Sequence, residues 1–104
     1  MTGRAIYAVS GGFDAAWREA DGLKGGSFLL ELSIDADLAP PEAARAALTR
    51  MVAALDHTIL DERTGAAFSL PALARWIAVE AGLPALRAVR LSRPGLQDAV
   101  SLTL

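Results

Sequence analysis

Residues 27–35, SFLLELSID, place Phe28, Leu30, Leu32 and Ile34 on one side of an extended chain and Ser27, Leu29, Glu31 and Ser33 on the other. A period of two with one apolar face predicts a half-buried strand, and Leu29 is the one exception on its polar side. A sheet with a single buried face needs something laid over that face. Two segments further along the chain supply it. In residues 39–57, APPEAARAALTRMVAALDH, Pro40 and Pro41 suit a helix start and Glu42 complements the positive end of the dipole. Ala44, Leu48, Met51, Val52 and Leu55 fall on one helical face, and the helix should stop near Asp56-His57. Residues 58–68, TILDERTGAAF, read as a loop in which Asp61, Glu62 and Arg63 are solvated. Ser69 is then the expected N-cap of a second helix, LPALARWIAVEAG, with Pro71 in its first turn and Gly82 as its stop. Leu73, Trp76, Ile77 and Glu80 share its spacing.

Working back toward the N-terminus, residues 4–10, RAIYAVS, form a strand that should end in a bulge or bend at Gly11-Gly12. The stretch from Phe13 to Gly26 looks like an excursion rather than a tight hairpin. At the other end, RAVRLS and DAVSLTL alternate around RPGLQ and predict a final hairpin. The order β-β-α-α-β-β makes an α+β domain: a four-stranded antiparallel sheet with two helices on one face, spanning 1–104. Such a sheet has edges to manage. The last strand, with Val100, Leu102 and Leu104 alternating, is a candidate edge, and a homo-oligomer is expected on that ground.

Composition removes several functions. Hydrophobic residues are 53% and charged residues 21% of the 104, an ordinary globular balance for one domain. A net charge of −2 leaves no electrostatic footprint for nucleic acid. No apolar run reaches bilayer length and no secretory signal layout precedes the first strand, so a cytoplasmic protein away from membranes is expected. Without cysteine there is neither a disulfide framework nor a thiolate, and a single histidine argues against zinc.

Three stretches together resemble the 6-pyruvoyl-tetrahydropterin synthase and 6-carboxytetrahydropterin synthase family: GGFDAAWR (11–18), LKGGSFLLELSIDADL (23–38), and LDHTILDE (55–62) followed by FSLPALARWI and AVRLSRPG. The resemblance covers nearly the whole chain. It implies a tunnelling fold, in which β-β-α-α-β-β units join through edge strands into rings, commonly hexamers, with sites between subunits. It also implies a pterin-like small-molecule ligand of the dihydroneopterin type.

The family's chemistry transfers poorly, position by position. Its zinc ligands, one histidine after F-x-A-A and two in H-G-H-S-F, correspond here to Trp17, Lys24 and Gly26. None of these binds zinc, so no metal or other cofactor is expected. The nucleophilic cysteine falls near Ala20, where Glu19 and Asp21 offer carboxylates instead. The pterin-anchoring glutamate corresponds to Arg93, which carries only donors. In the P-T-x-E segment Ser69 keeps a hydroxyl, while Pro71 replaces the acid. What survives is the Asp-His pair, Asp56 and His57, which in the family acts as a proton relay.

Each of these residues has two readings. His57 is either a helix-end charge suited to the dipole or an acid–base group oriented by Asp56. Lys24 is either a solvated loop lysine or an ammonium in the zinc's former space, as in the related metal-free dihydroneopterin aldolases that use a lysine. Trp17 is core filler or a stacking platform, and Arg93 a turn charge or an anion acceptor. The expectation is therefore a metal-independent pterin-side-chain lyase with catalytic His57, Asp56, Lys24 and Glu19, and with Ser69, Arg93 and Trp17 binding substrate. The rival is an inactive paralogue serving as a ligand-binding or assembly subunit. On the ligand chemistry alone, elemental analysis of purified protein should find no stoichiometric zinc.

Overall fold

A computed structural model describes residues 3–104. Its sheet has four antiparallel strands in the order β1-β2-β3-β4: β1 Ile6–Glu19, β2 Gly22–Asp35, β3 Leu86–Arg93 and β4 Asp98–Thr103. Three helices follow the first hairpin: α1 Pro41–Leu55, α2 Leu60–Thr64 and α3 Leu70–Glu80. The domain is α+β, as the alternation in SFLLELSID requires. Phe28, Leu30, Leu32 and Ile34 are buried, whereas Ser27 and Leu29 are exposed. None of the helices among the described residues is long and apolar enough to cross a membrane.

The first hairpin departs from the sequence expectation. β1 does not end at Gly11-Gly12; it pairs with β2 without interruption from Ile6↔Asp35 to Glu19↔Gly22. The expected excursion is the outer half of a long hairpin, closed by a tight turn at Ala20-Asp21. Gly22, at φ +131°, takes a backbone conformation that other residues resist. Gly11 serves a different purpose from the expected bend. A Cβ there would lie 3.4 Å from Leu48 Cδ2 and 3.5 Å from Val52 Cγ2, so its missing side chain lets α1 approach the sheet closely. The core-facing series Val9, Phe13, Ala15 and Trp17 keeps the period of two running through the glycines.

α1 buries Ala44, Ala47, Leu48, Met51 and Leu55 against the sheet, with Val52 at the margin. α3 begins where expected, with Ser69 Oγ accepting from Ala72 N at 3.1 Å, and Gly82 follows its end at φ +62°. Its buried face is Leu70, Leu73, Ala74 and Ile77; Trp76 is half-buried and Glu80 exposed, so the stripe lies to one side of the expected one. The expected loop 58–68 contains α2. This five-residue helix is anchored by buried Leu60 and ended by Gly65 at φ +76°. The final hairpin turns through a 3₁₀ segment, Pro94–Leu96.

β3 pairs only with Leu29–Ile34 of β2, so the outer half of the first hairpin projects past the rest of the sheet in a domain measuring 54 × 23 × 19 Å. The connection after α1 lies along that projecting edge. Asp14 N donates to Asp56 Oδ1 at 2.9 Å, Ala16 N to Thr58 O at 2.9 Å, and Arg18 N to Asp61 Oδ1 at 2.8 Å. Alternate N–H groups of an edge strand point outward. Three in succession are satisfied here by one short segment.

Leu32 has no exposed surface at the centre of this core. Leu32→Ala should lower the unfolding free energy by about 2–5 kcal/mol in urea denaturation, the range for a buried leucine whose cavity cannot collapse.

Candidate functional site

Asp56 and His57 are set by β1. Asp14 binds both through its backbone: its N–H donates to Asp56 Oδ1 at 2.9 Å, and its carbonyl accepts from His57 N at 2.7 Å. This clamp holds His57 at φ +58°, a left-handed conformation that costs a residue with a Cβ roughly 1–2 kcal/mol. Asp56 Oδ2 lies 2.9 Å from His57 Nδ1. The Asp14 N–H chiefly holds the Asp56 carboxyl below its ordinary value, against an opposing desolvation and with His57 adding to the lowering. An ionised acid beside Nδ1 favours the proton on that nitrogen and leaves Nε2 as the base. The imidazole is 80% exposed. It lines an open cleft of about 560 Å³ together with Asp14, Ser27 and Thr58.

Trp17, Lys24 and Gly26 converge on the other side of the hairpin. Trp17 pairs directly with Lys24 across the strands, and a Cβ on Gly26 would lie 3.4 Å from Trp17 Cη2. Trp17 is only 3% exposed, tilted against Phe68 at 5.3 Å and set edge-on to Phe28 at 5.6 Å. With Glu19, Lys24, Arg93 and the glycines 25 and 26, it lines a cleft of about 460 Å³. Ser69 sits in an adjoining cleft of about 390 Å³ shared with Trp17, Glu19 and Arg93. Its hydroxyl oxygen is engaged in capping α3.

The cationic groups of this region each have a carboxylate. Arg93 donates through Nε to Asp98 Oδ1 at 3.0 Å and through Nη2 to Asp98 Oδ2 at 2.5 Å, holding the Asp98 carboxyl below its ordinary value. Its guanidinium carbon lies 5.2 Å from the Trp17 ring centre and 5.5 Å from that of Phe68. Lys24 Nζ is 3.1 Å from Asp21 Oδ2, and Trp17 Nε1 donates to Glu19 Oε2 at 2.7 Å. An incoming anion would compete with these internal partners.

The residues singled out in the sequence thus fall into two groups. Trp17, Glu19, Lys24 and Arg93 share one cleft, with Ser69 behind it; His57 and Asp56 lie at another. Gly25, Gly26 and Ser27 form a wall common to both clefts. Zinc does not fit here: an indole, an ammonium and a glycine supply no ligand set. Among the described residues no group of three His, Cys, Asp or Glu is placed to hold a metal ion.

Three structural residues escaped the sequence reading. Asp14 and Ser27 are cross-strand partners, with Ser27 Oγ donating to Asp14 Oδ1 at 2.5 Å. Asp61, expected to be solvated, accepts from Arg18 N at 2.8 Å and Phe68 N at 2.9 Å. Counting outward from a two-residue turn at Ala20-Asp21 would have paired Asp14 with Ser27. For Asp61 no local signal exists. No family model matches the chain, and no curated protein matches it.

The Arg18 N–H chiefly, with that of Phe68, lowers the pKa of Asp61 from its ordinary 3.8. A depressed carboxyl contributes stability that is present above pH 3.8 and lost as pH falls through the folded-state value. Asp61→Asn should therefore flatten the acid limb of the stability curve below that point, read by urea melts at stepped pH.

Proposed function

We propose that this chain is a metal-independent tunnelling-fold protein of the 6-pyruvoyl-tetrahydropterin synthase type, acting as a lyase on the side chain of a dihydropterin. The heterocycle lies in the Trp17 cleft and its side chain crosses the Gly25–Ser27 wall toward His57. The observation that carries this reading is His57 itself. A strained backbone whose N–H donates to the Asp14 carbonyl, beside a carboxylate that accepts from the Asp14 N–H and fixes the imidazole tautomer, is an arrangement that places a side chain.

Aldolase-like cleavage uses what the two clefts offer. His57 Nε2 takes the proton of the side-chain hydroxyl one carbon removed from the ring-bearing carbon. The carbon–carbon bond between those two carbons breaks, its electrons pass into the ring's C=N to give an enamine, and an aldehyde leaves. Return of a proton to the ring-bearing carbon completes the reaction. Lys24 stabilises the developing negative charge on the ring, and no metal enters any step.

The convergence of Trp17, Lys24 and Gly26 supports the reading, because these are the positions at which the resembled family keeps its metal ligands. Ring assembly is part of the proposal. β4 is one edge of the sheet, and with the outer half of β1 already capped, the inner half of β1 and the outer half of β2, which β3 does not reach, are the other edges left for neighbouring subunits.

A second reading, an inactive ligand-binding or assembly subunit, draws on the exposure of His57 and the internal pairing of Lys24 and Arg93. Turnover separates the two. On the lyase reading, His57→Ala and Lys24→Ala each abolish turnover of 7,8-dihydroneopterin with oligomer size unchanged by light scattering. Wild-type protein that binds the compound but never turns it over identifies the binding subunit.

A further inference from the structure

The cleft beside His57 carries a hydrogen-bonding array of one polarity. Ser27 has a single hydroxyl proton, and that proton is directed at Asp14 Oδ1. Toward the cleft Ser27 therefore presents lone pairs only, beside a carboxylate whose remaining lone pairs are free. His57 adds a third acceptor, because its Nδ1 faces Asp56 and Nε2 is left unprotonated in the neutral ring. Neither lysine nor arginine lines this cleft, whereas the carboxylates of Asp14 and Asp56 stand on it or beside it. The Trp17 cleft on the far side of the shared wall is lined by Lys24 and Arg93.

From this asymmetry we infer that Asp14 and Ser27 form a subsite for an uncharged polyol, a ligand segment with hydroxyl groups on adjacent carbons. Anions are disfavoured by the carboxylates. Hydroxyl groups supply the donors the array lacks, and Nε2 of His57 accepts one of them at the point where a base is required. An ammonium would also donate, but from a single atom, whereas hydroxyls on adjacent carbons reach the Asp14, Ser27 and His57 acceptors separately. Asp14 has two functions here. Its backbone positions Asp56 and His57, and its side chain receives the ligand. Only the second is lost on side-chain truncation. The subsite deepens the lyase reading, since it holds the side chain that His57 would cleave, and it depends on that reading for the identity of the attached ring.

Protein NMR tests the two ideas separately, using ribitol as a polyol without a ring, inorganic phosphate as an anion, ethanolamine as a cation, and 7,8-dihydroneopterin. Ribitol should shift the Ser27 amide and the His57 ring signals, with phosphate and ethanolamine at least tenfold weaker. Asp14→Ala and Ser27→Ala should each weaken the ribitol response at least fivefold, while the amide dispersion of the rest of the domain remains. Phosphate or ethanolamine matching ribitol would overturn the assignment, as would a ribitol response that is absent from wild type or unchanged in the variants. Dihydroneopterin that leaves the Trp17 indole signal unmoved, with the ribitol response intact, refutes the pterin ring and leaves the polyol subsite standing.

Discussion

Three backbone N–H groups on the outer edge of β1 determine much of this molecule. Those of Asp14, Ala16 and Arg18 project past the region where β3 supports the sheet, and the projecting hairpin would otherwise be a bare two-stranded ribbon. Such ribbons are marginal in water, and their free edges invite pairing with other chains. Residues 56–61 meet both needs with one carboxylate, one carbonyl and a second carboxylate in succession. This connection cannot move without leaving the edge unsatisfied, so the backbone of His57 is fixed by the same bonds that close the hairpin. Placement of the imidazole is thus a by-product of edge protection, and strand edges open to pairing remain on the inner half of β1, on β4 and on the outer half of β2 that β3 does not reach.

Electrostatics divide the two clefts more sharply than the residue types do. Arg93 could not serve as a free anion receptor without giving up Asp98, and its planar guanidinium also lies near two aromatic rings. A cation–π contact of about 0.5–2 kcal/mol, added to a bidentate pair, makes it a structural brace between the final hairpin and the aromatic cluster. A lysine would lose both the fork and the stacking plane. Lys24 is different. Its partner Asp21 is exposed in the turn, and exposed pairs contribute little, so its ammonium can be recruited by a ligand at low cost.

How far the sequence was legible depended on whether the relevant partners were neighbours. The alternation of β2, the Ser69 cap, Gly82 after α3 and the final hairpin all rest on residues within a few positions of each other, and each was read correctly. The outer hairpin was not, because Gly11-Gly12 and Gly25-Gly26 look like breakers when taken alone. Their role emerges only with Leu48 and Trp17 above them, at Gly11 and Gly26 respectively. Helix α2 is too short to carry a period, and Asp61 meets Arg18 from 43 residues away. At the site, the adjacent pair Asp56-His57 was visible in sequence. Asp14 was hidden by the reading of residues 13–26 as an excursion, and Ser27, though placed in a strand, was left without its cross-strand partner.

The glycines on the shared wall bear on reach as well as packing. A side chain at Gly26 would press on the Trp17 ring at 3.4 Å, and one at Gly25 would approach the Ala15 carbonyl at 3.8 Å. Their absence keeps the wall between the two clefts one backbone thick. A rigid ligand confined to either side would have no use for so low a partition. A flat ring joined to a flexible hydroxylated chain would, because it needs an apolar floor at one end and hydrogen-bond acceptors at the other. The aromatic residues sit on the Trp17 side and the uncompensated lone pairs on the His57 side, so on the proposed reading the wall would give such a ligand its direction.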